Sequence, residues 1–138
     1  MNLNDRDLGE QTILIFCPDL MTASRVQTIA RHSGVRSAML RPGQAADHGS
    51  LLVASYGTGD GWEQAIREAT QAGIPAVAFG PHVDADSRRA AKAAGAFRVL
   101  TNSNLDRALP PILHALASGG ELAGARTGDR ADDEASEE

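Results

Sequence analysis

The sequence predicts an α/β fold, a parallel sheet covered by helices on both faces. Three observations carry that prediction. Short continuous apolar runs recur along the chain, as in strands buried on both sides rather than one. Segments with apolar residues at i, i+3 and i+4 separate most of these runs. Glycines stand where such segments would stop and a strand would begin.

Taken in order, "ILIF" at 13–16 is the first strand, and Val26, Ile29 and Ala30 form a helical stripe after it. "SAML" at 37–40 is a weaker strand, followed by "SLLVAS" at 50–55. Only ten residues, "RPGQAADHGS", lie between Leu40 and Leu51, and Pro42, Gly43 and Gly49 among them leave room for one turn at most. Trp62, Ala65, Ile66 and Ala69 make the next helical stripe, and "PAVAFG" at 75–80 the next strand. Asp86 to Ala94 is an alanine-rich helix expected to present Arg88, Arg89 and Lys92 outward, capped by Asp84 or Asp86. "AFRVLT" at 96–101 is the last strand. The last helix, Asn104 to Leu116, carries Leu105, Leu109, Ile112, Leu113 and Leu116, with Asn102, Ser103 or Asn104 as its cap. Pro110 and Pro111 inside it are expected to kink it or split it into two turns. Gly34, Gly73 and Gly95 supply the stops.

The length of 138 residues fits one domain. A hydrophobic share of 42% suffices for a packed core, and with aromatics at 4% that core must be aliphatic. The single cysteine excludes an internal disulfide and a cysteine-based zinc cage. The polar, acidic start is no signal peptide, and no apolar run reaches the roughly 20 residues of a membrane span, so a soluble cytoplasmic protein is the expectation. Residues 121–138 hold seven acids and two arginines, a net of −5, which is the charge of the whole chain, so the remainder is neutral. That neutrality speaks against a nucleic-acid surface, which needs clustered Lys and Arg. The expected organisation is a flexible start at 1–11, one domain at 12–118 and a disordered acidic tail at 119–138.

The stretch "AGIPAVAFGPHVDADSRRAAKAAGAFRVLTNSNLDRAL" resembles the second half of a response-regulator receiver domain: a helix ending in "AG", a fourth strand, an alanine-rich helix ending in "AAGA", a fifth strand and a final helix. The resemblance spans about Thr12 to Ser118 and rests on spacing and rhythm. It implies a flavodoxin-like three-layer sandwich with strand order 2-1-3-4-5, the second helix here being shortened or absent. Receivers hold Mg²⁺ with two acids after the first strand and a phosphoacceptor aspartate ending the third. A Ser or Thr ends the fourth strand, and a lysine before a proline ends the fifth. The chemistry requires this set, because transfer of a phosphoryl group to a carboxylate crowds negative charge that a hard cation and an ammonium must offset.

On that resemblance every one of those positions is altered. The acidic pair falls on Cys17 and Pro18, with Asp19 one residue beyond; the phosphoacceptor falls on Ser55, the switch hydroxyl on Gly80, and the lysine and proline on Asn102 and Ser103. The only lysine, Lys92, belongs to the preceding helix. The chain therefore resembles a degenerate pseudo-receiver of two-component signalling, with no metal and no cofactor expected. The expected function is that of a phosphorylation-independent signalling or adaptor protein, not an enzyme, working through contacts with another protein or as a homodimer.

Other features leave a second reading open, a small-molecule or anion-binding module using the crevice at the C-terminal ends of the strands. "SYGTGDGW", with Tyr56, Gly57, Gly59 and Gly61, is a glycine-rich strand-to-helix loop whose backbone can approach an anion or small ligand. It resembles a flavodoxin flavin loop, but "CPDLMTAS" after the first strand lacks the glycines of a phosphate loop, so flavin is the lesser alternative. Cys17 is either a reactive thiol at a helix start or a small buried hydrophobe. His32, His48, His82 and His114 show no metal-ligand spacing; His82, beside the strand ends, is the one placed to touch a ligand. In receivers, the last two helices with the last strand form the usual contact face, and Arg88, Arg89 and Lys92 fall there.

Overall fold

The structure, a computed structural model, describes residues 11–41, 43–57 and 59–117. The expected acidic tail, and all of the expected flexible start except Gln11, lie outside the described residues. In chain order the elements are β1 (Thr12–Phe16), α1 (Leu20–His32), β2 (Arg36–Met39), β3 (Leu51–Ser55), α2 (Trp62–Gln71), β4 (Ala76–Gly80), α3 (Ala85–Ala94), β5 (Arg98–Thr101), a 3-10 turn (Asn102–Asn104) and α4 (Leu105–Ala117). All strand pairs are parallel and the sheet order is β2-β1-β3-β4-β5, as expected.

Strand alternation divides the core into two layers. Ile13, Ile15, Val53, Val77, Phe79 and Leu100 face one way, onto Val26 and Ala30 of α1 and Leu105, Leu109, Ile112 and Leu113 of α4. Leu14, Phe16, Leu52, Ala54, Ala78 and Val99 face the other, onto Trp62, Ile66 and Ala69 of α2 and Ala91 and Ala94 of α3. Because both faces are covered, the strands read as unbroken apolar runs. The connection from β2 to β3 forms no helix among its described residues. Gln44 N–H donates to the Arg41 carbonyl at 3.0 Å in a single turn, and Ala46 is buried with its N–H on Glu68 Oε1 at 3.1 Å. The loop thus stands where a helix would otherwise cover that end of the sheet.

Three expectations need correction. Arg88 does not point outward: it is 7% exposed, because residues 88, 91 and 94 share the sheet-facing stripe of α3 and the small Ala91 and Ala94 leave room for its long stem. Arg89 and Lys92 are exposed. The last helix is not split, and the 3-10 turn that leads into it has Thr101 as its N-cap rather than Asn102, Ser103 or Asn104, with Asn104 as the reciprocal partner. Thr101 stands at the N-cap of the 3-10 turn in a capping box, with Asn104 Oδ1 accepting from Thr101 N–H at 3.2 Å. Beyond it α4 runs unbroken through Pro110 and Pro111. The carbonyls those prolines leave without an intrahelical donor belong to Asp106 and Arg107, both exposed residues that water can reach. Apolar burial on both sides of the pair, by Leu105 and Leu109 before it and Ile112, Leu113 and Leu116 after it, holds the helix together.

Pro111 is exposed, so replacing it loses no packing. The substitution Pro111→Ala restores an N–H to the Arg107 carbonyl and improves helix propensity, offset in part by a more flexible unfolded chain. Urea unfolding is expected to show a gain of about 1–2 kcal/mol.

Candidate functional site

Chemistry in an open parallel sheet sits at the C-terminal ends of the strands. There β1 runs out at Phe16, beside Ala54 of β3, and the next residues are Cys17, Pro18 and Asp19. Cys17 is 5% exposed and packs in the α1–α4 layer of the core. Its thiol donates to the Asp19 carbonyl at 3.5 Å. Burial pushes the thiol's pKa up, reinforced by the Asp19 charge and opposed by hydrogen bonds from the Asp19 backbone and Ser55. The thiol is accordingly neutral at physiological pH, which favours the small-hydrophobe reading over a reactive nucleophile.

Asp19 is exposed and caps α1, its carboxylate accepting from Thr22 N–H at 3.1 Å and from the Thr22 hydroxyl. Those hydrogen bonds hold its pKa below the usual carboxylate range. The one carboxylate after β1 is therefore engaged by the helix it starts. Among the described residues no three His, Cys, Asp or Glu side chains converge as a metal site would require.

Ser55 ends β3, buried opposite Phe79, and Tyr56 prolongs the pairing by one residue, its N–H on the Phe79 carbonyl at 2.8 Å. The Tyr56 ring then turns across the end of β4. It is fully buried, its hydroxyl donates to the Pro81 carbonyl at 2.9 Å, and it lies against Trp62 with centroids 6.3 Å apart. A Cβ on Gly80 would stand 2.6 Å from Tyr56 Cε1 and 2.8 Å from the Tyr56 carbonyl oxygen. Any side chain at position 80, a switch hydroxyl included, collides with that ring and backbone. Gly80 and Tyr56 are two halves of one packing solution. Gly57, Gly59 and Gly61 all take positive φ and return the chain from the buried ring to the start of α2. The aromatic of "SYGTGDGW" faces the core instead of offering a ring to a ligand.

Asn102, where the resemblance puts a lysine, is exposed at the start of the 3-10 turn. Its carbonyl accepts from Arg25 Nη2 at 3.0 Å, while Arg25 Nε pairs with Asp106 Oδ1 at 3.0 Å. The cation at this corner comes from α1, and it ties α1 to the start of α4. Sequence reasoning missed Arg25, since nothing local marks a residue whose partners lie 77 and 81 positions away. Ser103, the other half of that pair, places its hydroxyl 3.1 Å from the Thr101 hydroxyl.

Two open concavities lie near this end of the sheet. His82, Val83, Ala85, Arg88, Arg89 and Lys92 line a groove of about 580 Å³ beside α3. Phe16, Gln44, Asp60, Gly61, Gln64 and Glu68 line a smaller cleft, about 290 Å³, between α2 and the loop that replaces a helix. The structure thus brings Cys17 to Ser55 and Tyr56 to Gly80, and leaves Pro18, Asp19, Asn102 and His82 at the surface.

The packing makes Gly80→Ala destabilising by about 1–3 kcal/mol through overcrowding. In a Tyr56→Ala background the same change is expected to cost less, because the ring clash is gone while the contact with the Tyr56 carbonyl oxygen stays, a coupling that a double-mutant cycle in urea measures. The Asp19 cap predicts a specific pH dependence. Its folded pKa lies below the unfolded value, so its contribution is complete above the ordinary Asp range and is lost as pH falls through the lowered folded value. Asn caps without titrating, so Asp19→Asn is expected to lose less stability than wild type when unfolding is compared at pH 6 and at about pH 2–3.

No known family profile matches the chain, and neither does any curated protein. Solved structures do match. A response regulator, ChrA, of a heme-sensing two-component system superposes with a TM-score of 0.65 at 17% identity, covering 88% of this chain and 64% of that protein. A CheY-like receiver domain from Methanospirillum hungatei JF-1 gives 0.66 at 14% identity, covering 79% and 94%. The receiver domain of a signal transduction histidine kinase from Syntrophus aciditrophicus gives 0.64 at 20%, covering 79% and 91%. The chain spans somewhat under two thirds of the first of these proteins and nearly all of the isolated receiver domains. With its five-stranded 2-1-3-4-5 parallel sheet, this chain has the fold of a response-regulator receiver domain.

Proposed function

We propose that the chain is a pseudo-receiver: a signalling or adaptor module that works through protein contacts, without phosphorylation and without enzymatic activity. The observation that supports this is the packing of Tyr56 against Gly80, which leaves no room for a side chain at the position where the resemblance puts a switch hydroxyl. A metal and a phosphoryl group need acids and a cation around open space. Here a neutral buried thiol, a serine, a glycine and an aromatic ring stand at those positions, and Asp19 caps a helix. Output then depends on a surface, and the exposed Arg89 and Lys92 beside the groove on α3 suit a partner with acidic groups.

The second reading, a small-molecule or anion-binding module, draws support from the cleft over Phe16 beside α2 rather than from the strand-end crevice first expected to hold the ligand. Flavin remains the weaker form of that reading, because the Tyr56 ring is buried and unavailable for stacking. A thermal shift with nucleotides or flavin, lost on Gly61→Leu, would favour it.

The deciding experiment incubates the full chain with Mg²⁺ and a small acyl phosphate donor. Intact mass and amide shifts are expected to stay unchanged. A stoichiometric phosphoryl adduct, on Ser55 or on any carboxylate, would overturn the proposal.

A further inference from the structure

We propose that the outer edge of β2 is a self-complementary docking strand, at which a second copy of this chain pairs antiparallel across a two-fold axis through Ala38. The inference rests on the fold and not on the phosphorylation-independent reading. β2 lies at one end of the sheet order, with β1 as its neighbour there. Arg36 N–H donates to the Gln11 carbonyl at 2.9 Å and Leu40 N–H to the Ile15 carbonyl at 2.8 Å. In a parallel ladder the N–H and C=O of a residue point the same way and alternate along the strand. The peptide groups of Arg36, Ala38 and Leu40 therefore face β1, and those of Ser37 and Met39 face outward.

Two outward residues, two positions apart, are what an antiparallel copy of the same edge requires. With Ala38 opposite Ala38 of the second copy, each Ser37 meets the other copy's Met39, and each such pair exchanges both N–H···O bonds. The small alanines allow close approach at the axis. Charge, the usual guard of an edge strand, does not oppose this register. Arg36 faces the other copy's Leu40, and the two Arg36 residues stand about 14 Å apart, four residues along the strand, beyond the screening length of about 8 Å at physiological salt.

Side chains agree with the backbone. Register places Ser37 and Met39 on the face of Ile13 and Ile15, the α1 side. Met39 is 37% exposed, and beside Ser37 lies a groove of about 540 Å³ lined by Gln27, Arg31, Gly34, Val35 and Arg36. The pairing sets the other copy's Met39 over that groove. On the opposite face Ala38 is exposed, because the loop after β2 takes the place of a helix. One short edge and one groove make a small interface, so the dimer belongs in the weak, concentration-dependent class.

Sedimentation velocity of the full chain over a dilution series tests the proposal. A monomer–dimer equilibrium is expected, and Ala38→Asp, which sets two carboxylates face to face at the axis, is expected to weaken it at least tenfold. Ser37→Pro removes an outward N–H without touching the bonds to β1 and is expected to act alike, while Arg89→Glu on α3 leaves the dimer unchanged. Melting curves show which variants are folded. Amide exchange adds a test without substitution: the N–H groups of Ser37 and Met39 gain protection as concentration rises. The proposal is overturned by a chain that stays monomeric throughout, whether its edge is bare or covered by its own residues. A dimer that survives Ala38→Asp in a folded chain, or is lost equally with Arg89→Glu, overturns it too.

Discussion

The central constraint is that β3 has no solvent face. Each of Leu51 to Ser55 is buried, with β1 on one side, β4 on the other and helical layers above and below. A strand so placed can carry apolar or small residues along its length, and a polar group only where it leaves the sheet. Ser55 and Tyr56 occupy that exit. Phe16 and Cys17 at the neighbouring exit of β1, and Gly80 at that of β4, must then pack with whatever β3 presents.

This junction accounts for much of what distinguishes the chain chemically. A receiver-type phosphorylation site is a compromise with burial, because it keeps several charges in one crevice and relies on a bound cation to balance them. At the exits of β3 and β4 in this chain the contacts are ordinary packing. The Tyr56 ring turns across the end of β4, its hydroxyl finds the Pro81 carbonyl, and Gly80 gives way beneath it. Cys17 adds apolar volume on the other side of the sheet. Charges at this end of the molecule are displaced to the rim, where Asp19 caps α1 and Arg25 clasps Asn102 and Asp106. The rim interactions orient helices.

The shortened connection after β2 has a second effect. A helix there would cover one face of the edge strand; the loop, anchored through Ala46 and Glu68, covers the sheet nearer β1 and leaves Ala38 exposed. With a loop rather than a helix after β2, one face of the edge strand lies at the surface, while the sheet order is unaffected, since the order depends on strands and crossovers rather than on every helix being full length.

The sequence by itself determined the elements and their arrangement. Apolar runs, helical stripes and the glycines at 34, 73 and 95 are local signals, and an aliphatic chain of this rhythm has few ways to bury both faces of a sheet. The residues at 17, 18, 55, 80 and 102, where the resemblance puts a phosphorylation site, and the single lysine are likewise read from the sequence alone. Only the tertiary structure decided how those positions pack. That Tyr56 turns inward, that Arg88 is buried, that Arg25 reaches residues some eighty positions away, and that α4 survives two prolines all depend on partners distant in sequence. Periodicity reports the environment a residue needs on average; which side chain fills a given space depends on three-dimensional neighbours that no local pattern encodes.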